Sequence, residues 1–443
     1  MASRYSPPTP PNTLTATPTM PMLSPILLSC LLVASLYMMF TWHSAESALS
    51  NPWVPPPEID LFVQRIKGND SELASYASAL ITATPLRTSG RHILDADDKP
   101  IKLASVNWYG GSDELFVPSG LDIQHRSAIA RTIRKLGFNS VRLPYSDEMV
   151  VTNPRIPPGL LAANPDLVNL RALDVFEAVI NALTEEGLAV VVNNHITHAT
   201  WCCGANPCDG LWYNTHLPAS ACRIHQSESG WVDNWVTVMG PHVDNPLVIA
   251  ADLRNEVRAL WGTMSWERWA RAAERAGNRL LGMRSDWLIV VGGLGSQNFL
   301  NEVRDRPVKL VVPGRVVYSS HVYSWSGWGS RDGRYAKRPY ASFVKSMREN
   351  WGYLVEGNIA PVWVGEFGAP AKPGEGDARY WGHLMRYLKK IDADFAYWAI
   401  NPRKPRDDDE ETYSLVEDDW ETPVLDYRMK DMLELMEKKH KKM

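Results

Sequence analysis

A single-domain (β/α)8 TIM barrel, of class α/β, is the fold this sequence predicts, on three observations. Eight short apolar runs recur in the order 102–106, 140–143, 189–193, 247–253, 287–291, 316–319, 362–365 and 395–398. Short continuous apolar runs are what strands buried on both faces look like. Between them lie stretches with apolar residues at helical spacing. Leu173, Phe176, Ile180 and Leu183 stop at Gly187; Phe343, Met347, Trp351 and Leu354 form a second set; Trp381, Leu384, Leu388 and Ile391 form a third. Each set places its apolar residues on one helix face. The third observation is that polar and aromatic residues gather just after the runs, where a barrel carries its function. A doubly wound open sheet is the alternative, but no G-x-G-x-x-G follows the first run to mark a dinucleotide site.

Taken in order, residues 1–20 are rich in Pro, Thr and Ser and read as a disordered tail. Residues 21–48 read as a signal peptide or an uncleaved signal-anchor. No charge falls between Met22 and Trp42, a length that reaches across a bilayer, and the small-residue stretch Ser44 to Ala48 suits a signal peptidase. Residues 49–85 are a Pro-rich link and a helical stretch over 59–81, which carries the sequon Asn69-Asp70-Ser71. The run from Ile93 to Ile101 around Asp95, Asp97 and Asp98 reads as a hairpin. The barrel domain spans 86–430. The Lys-rich tail, 431–443, reads as a solvated end to the helix-like segment 429–443.

The net charge of −4 gives no nucleic-acid signal. Tryptophan is abundant, 18 against 9 Phe, which suits both core packing and stacking on sugar rings. Of five cysteines, Cys30 lies in the apolar N-terminal segment and Cys202, Cys203, Cys208 and Cys222 cluster as C-C-x4-C-x13-C. That is not the paired C-x2-C of zinc ribbons, so with a secretory signal two disulfides are expected. Three connectivities are open; the reading favours Cys202 and Cys203 each pairing with Cys208 or Cys222. The chain is expected to be secreted, or anchored in a membrane by residues 22–42.

Two glutamates stand where stability gives no reason for a charge. Glu256 follows the run from Leu247 to Leu253, and Glu366 follows Val362, Trp363, Val364 and Gly365. Burying a carboxylate is costly unless it is paired or used. Two from separate strands suggest a pair acting on one bond. The other strand ends carry Asn107 to Gly110, Arg142, His195, Asn255, His321 with Tyr323, and Trp398. No H-E-x-x-H supports a catalytic metal and no G-x-S-x-G supports a serine nucleophile. No metal and no cofactor are expected.

Arg142, His195, Asn255-Glu256, His321-x-Tyr323, Glu366 and Trp398, in this order at strand ends, resemble glycoside hydrolase family 5, the cellulase-type retaining β-glycosidases. The resemblance runs from about Ile93 to Asn401. It implies a (β/α)8 barrel that hydrolyses β-glycosidic bonds by double displacement, with a β-glucan or other plant-type polysaccharide as substrate. It implies Glu256 as acid/base and Glu366 as nucleophile, with the other six residues binding substrate or the carboxyls. The carboxyls of retaining enzymes stand ~5–5.5 Å apart. The chain departs from the family where Pro often follows Asn-Glu: here stand Val257 and Arg258. The loop after the third strand is long, and with Trp201, Trp212 and Tyr213 it is expected to wall the cleft. Trp261, Trp325 and Trp328 are further candidates for substrate contact. An exo-acting β-glycosidase or glycoconjugate hydrolase is the alternative on the same site. A non-catalytic carbohydrate-binding barrel would need neither glutamate.

Overall fold

The computed structural model describes residues 53–436, apart from 68, 75–79, 81–82, 205, 259–263, 327–334 and 406–408, together with Ser29, Leu32 and Val33. The rest of the apolar segment 22–42, Cys30, Trp261, Trp328 and 437–443 lie outside the described residues. Among the described residues no helix is long and apolar enough to cross a membrane.

Eight parallel strands close into a barrel, each paired with the next in chain order and the last with the first. They are β3 (Ala104–Asn107), β4 (Ser140–Ser146), β5 (Ala189–Ile196), β6 (Val248–Asp252), β7 (Leu288–Gly292), β8 (Val316–Val322), β9 (Val362–Phe367) and β10 (Asp394–Tyr397). Each coincides with one of the eight apolar runs. A parallel strand is covered on both faces, so its residues need not alternate with polar ones. β5 is buried at every position. Val190 and Val192 pack outward with the helices, whereas Ala189 and Val191 join an inner cluster with Ala250, Val290, Val317 and Ala396.

The helix Ala172–Glu185 buries Val175, Phe176, Val179, Ile180 and Leu183, and Gly187 beyond it takes φ 79°. That left-handed position favours glycine and ends the helix. The segment from Tyr340 to Glu356 is helical but passes through a π-type turn at Arg348–Gly352. The helix Glu375–Ile391 buries Trp381, Leu384, Leu388 and Ile391, as their spacing predicts.

Two expectations are corrected here and one is extended. In the helical stretch expected over 59–81 the described residues form two helices, Pro57–Ile66 and Asp70–Ala74, and residues 75–79 and 81 lie outside the described residues. The hairpin near residue 95 has another strand: β1 (Arg87–Ser89) pairs antiparallel with β2 (His92–Leu94). The expected return around the Asp-rich turn is present as well: Leu94 bridges Pro100 antiparallel, Ile101 N–H donates to Ile93 O at 3.0 Å and Asp95 N–H to Lys99 O at 2.9 Å. Leu86 and Ile93 join the inner barrel cluster beside Leu103 and Leu247, which precede β3 and β6. The hairpin therefore stops the end of the barrel opposite the strand ends that bear the site. The second correction concerns the C-terminal segment. It is not simply a solvated end, because the helix Tyr427–Met436 buries Met429, Met432, Leu433, Leu435 and Met436.

Candidate active site

The strand register sets the site. Asn107 on β3 pairs with Arg142 on β4, Asn193 on β5 with Asp252 on β6, and His321 on β8 with Glu366 on β9. Arg142 is fully buried and every guanidinium nitrogen is used. Its Nε donates to Asp252 Oδ2 at 2.7 Å, its Nη1 to Asn107 Oδ1 at 3.0 Å and Glu366 Oε1 at 2.5 Å, and its Nη2 to Asn255 Oδ1 at 2.8 Å. Burial opposes the charge on Arg142, but Asp252 and Glu366 outweigh it and raise its pKa. The guanidinium is thus a permanent cation at the floor of the site.

Glu366 accepts a second hydrogen bond, from Tyr323 Oη to its Oε2 at 2.9 Å. Burial holds this carboxyl above its ordinary pKa, against the pull of the Arg142 guanidinium and the Tyr323 hydroxyl. Glu256 has no comparable partner. Burial raises it to about 7, against a weaker pull from Arg258 and Arg142. The two carboxyls are therefore unequal: one is clamped by an arginine and a phenol, the other is held largely by desolvation. Glu256 and Glu366 each bring an oxygen within 4.8 Å of the other and of a His321 ring nitrogen. Oxygens this close are compatible with the ~5–5.5 Å carboxyl spacing of retaining glycosidases. The three groups are also near enough to share a cation, but one of them, Glu366, is already engaged by both Arg142 and Tyr323.

His321 Nδ1 lies 3.1 Å from Glu256 Oε1 and 3.5 Å from Glu366 Oε2. Burial lowers its pKa to about 4, so near neutral pH the ring is uncharged; it hydrogen-bonds Glu256 through Nδ1 and lies beside Glu366. Gly365 makes room for it: a Cβ there would stand 2.6 Å from Ser319 Oγ and 3.2 Å from His321 Nε2. His195 is fixed through its Nδ1, 2.8 Å from Asn193 Oδ1. Asn193 turns its amide nitrogen to Asp252 Oδ2 at 2.9 Å, so its oxygen accepts and His195 Nδ1 carries the proton. Burial, then Arg142, hold the His195 pKa well below its ordinary value.

A cleft of about 1560 Å³ opens over these groups. Six of the eight sequence-predicted residues line it: His195, Asn255, Glu256, Tyr323, Glu366 and Trp398. Arg142 and His321 stand behind the carboxyls, in the contacts given above. Trp398 stacks on Tyr109 with centroids 5.1 Å apart and on His195 at 5.7 Å, and Trp201 meets it edge-on. Trp325 lines the cleft, stacks on Tyr323 at 4.5 Å and is 44% exposed. Trp201 and Trp325 thus stand where substrate contact was expected. Trp212 does not: it is buried against Trp231 and Trp269 and donates to Glu228. Tyr213 is likewise buried and absent from the lining.

Sequence reasoning missed Asp252 and Gln297. Asp252 anchors both Arg142 and Asn193. Gln297 accepts from the Glu256 backbone N–H at 2.8 Å and donates to Ser319 Oγ at 2.9 Å. It holds Glu256 in a left-handed conformation, φ 46°, which costs on the order of 1–3 kcal/mol for a non-glycine residue. At the departure after Asn-Glu, Arg258 ties two loops together by donating to the Glu256 and Gly204 carbonyls.

The cysteines form two disulfides, Cys208–Cys222 with an S–S distance of 2.01 Å and Cys202–Cys203. The expected number is met and the favoured pairing is not. Cys208 and Cys222 have Cα atoms 5.7 Å apart, within bridging reach, and close the long loop on itself. The neighbours Cys202 and Cys203 are left to each other in the cleft wall.

A family profile described as cellulase, glycosyl hydrolase family 5, matches residues 94–404. An endoglucanase from Paenibacillus polymyxa is 31% identical, over 76% of this chain and 83% of its own length. A glycosyl hydrolase 5 family protein from Chamaecyparis obtusa is 30% identical over 76% of this chain and 63% of its own. Among solved structures, the complex of a Pyrococcus horikoshii endocellulase with cellotetraose is 25% identical, with TM-score 0.66 over 80% of this chain and 100% of that one. With its barrel, its paired glutamates and these relatives, the chain belongs to glycosyl hydrolase family 5, the cellulase family.

Proposed function

We propose that the protein hydrolyses internal β-glycosidic bonds of a β-glucan with retention of configuration. The observation that carries this reading is the pair of close but unequal carboxyls, Glu256 and Glu366, at the floor of one cleft. Glu366, ion-paired to Arg142, attacks the anomeric carbon. Glu256, held protonated, gives its proton to the leaving oxygen. The sugar is then an ester of Glu366. Glu256, now a carboxylate, takes a proton from water as that water attacks the same carbon and frees Glu366. Trp398 forms the floor beneath the sugar, and Asn255 meets its 2-hydroxyl. The endoglucanase relatives and the cellotetraose complex support a β-linked glucose chain as the substrate.

The test is a panel of β-glucans, mannans and xylans, followed by NMR of the first product formed. A β-glucan should be preferred, its viscosity should fall early, and the new reducing end should be born as the β-anomer. An α-anomer would overturn the mechanism, and release of single sugars without viscosity loss would favour the exo-acting alternative.

The acid role also sets the pH dependence. Glu256 near 7 must be protonated to act, so kcat/KM should fall about tenfold per pH unit above roughly pH 7. A dinitrophenyl glycoside, whose leaving group needs no proton, should show no such limb. An identical alkaline limb on both substrates would assign it to another group.

We further propose that the catalytic domain enters the secretory pathway through residues 22–42, as a secreted or membrane-anchored enzyme. The uncharged run and the cysteine disulfides support this. N-terminal sequencing and alkaline carbonate extraction of the expressed protein would distinguish a cleaved signal from an anchor.

A further inference from the structure

The disulfide between neighbours Cys202 and Cys203 lies in the wall of the cleft, and its sulfurs stand within 4.8 Å of a Glu256 carboxylate oxygen. It differs from the other disulfide in access. Cys208 and Cys222 are buried, whereas Cys202 and Cys203 are partly exposed to the cleft.

The sulfurs also have a specific partner. Asn255 Nδ2 donates to Cys202 Sγ at 3.5 Å and to Cys203 Sγ at 3.4 Å. The other end of the same amide, Oδ1, accepts from Arg142 Nη2 at 2.8 Å. An amide nitrogen has two hydrogens. If one is shared between the sulfurs, the second is left for an acceptor in the cleft. The wall itself is braced, because Arg258 donates to Gly204 O and Trp201 packs edge-on against Trp398 and Tyr109.

We propose that the Cys202–Cys203 disulfide is a positioning element for Asn255, and that reducing it slows the reaction. This rests on the reading of the cleft as a retaining glucanase site. Joined sulfurs form one fixed acceptor beside the amide. Two free thiols turn independently and donate as well as accept, so the amide nitrogen loses its fixed neighbour. Asn255 then no longer presents its hydrogen squarely to the sugar 2-hydroxyl, a contact that strengthens in the transition state. The redox step is ordinary exchange. A thiolate of an added dithiol attacks one sulfur and expels the other cysteine as a thiolate. The second thiol of the reagent then displaces the first cysteine, and the reagent leaves as its cyclic disulfide, two electrons poorer.

The experiment compares an aryl β-cellobioside with its analogue lacking the 2-hydroxyl on the sugar at the cleaved bond. The Cys202→Ala/Cys203→Ala protein should lose about tenfold in kcat on the first substrate, with KM changed less than about twofold, and less than about twofold in kcat on the second. Dithiothreitol should bring the unmutated protein to the same behaviour, and reoxidation should restore it. It should also do so in Cys208→Ala/Cys222→Ala protein, where the cleft disulfide alone remains to be reduced. Dithiothreitol should do nothing further to Cys202→Ala/Cys203→Ala. The reduction arm holds even if a cysteine variant fails to fold. Equal losses on the two substrates, or none, would overturn the inference in favour of a merely structural disulfide. Unmutated protein that cleaves neither substrate would sink the glucanase reading, and this inference with it. If Asn255→Ala lowers both substrates equally, the role given to Asn255 fails, and the coupling to the disulfide fails too.

Discussion

Glu366→Ala should lower kcat on a soluble β-glucan by at least about 10⁴-fold, the scale on which covalent nucleophiles fail when removed. No other carboxylate can take its place. Glu256 stands on the opposite task, and Asp252 is fully buried and occupied by Arg142 and Asn193. The variant should nonetheless fold. Arg142 keeps Asp252, Asn107 and Asn255 as acceptors, so its charge is not left unpaired. Removing a buried carboxylate also removes the cost of keeping it there. Circular dichroism should therefore show a melt close to that of the unmutated protein while activity is lost. Activity within about tenfold of the original would remove Glu366 from the nucleophile role.

The barrel was legible because parallel strands buried on both faces leave an unbroken apolar trace, and all eight runs became strands. The site was legible for a related reason. A polar residue at the end of such a run has a cost that only use or pairing explains, and that argument singled out Glu256, Glu366 and the residues around them. It worked less well within the runs. Asp252 sits inside its own apolar run at the same cost, and a buried carboxylate there needs a neutralising partner. That partner, Arg142, lies 110 residues away. Gln297 left no comparable mark, because its role depends on a turn after β7 meeting the backbone after β6.

Pairing was the weakest part of the reading. Four clustered cysteines allow three connectivities, and sequence distance cannot tell which sulfurs meet. The partner of β2 was missed because Arg87, Thr88 and Ser89 show no apolar alternation. The C-terminal helix is hard to recognise because charged residues are interleaved with the apolar face formed by Met429, Met432, Leu433 and Met436. Those residues recur at helical spacing and face the core.

Glu256→Ala should separate the two glutamates by the stereochemistry of what the crippled enzymes make. Without Glu256 a natural glucan loses its proton donor, and hydrolysis should fall by about 10²–10⁴-fold. A dinitrophenyl cellobioside needs no proton, so Glu366, still clamped by Arg142 and Tyr323, should attack it and form the ester. The second step then stalls, because no general base remains to activate water. The glycosyl-enzyme should accumulate and be visible by intact mass. Azide needs no deprotonation and fits the space left by the missing carboxyl. It should attack the ester and restore turnover. Two inversions at one carbon give back the starting configuration, so the product should be the β-glycosyl azide. In Glu366→Ala the same anion would attack the substrate once, on the face the nucleophile left, while Glu256 protonates the leaving group. That product should be the α-glycosyl azide. The anomeric proton coupling of each isolated azide decides the matter. If the two configurations are exchanged, the roles of Glu256 and Glu366 are exchanged as well, and the unequal surroundings of the two carboxyls would need another explanation.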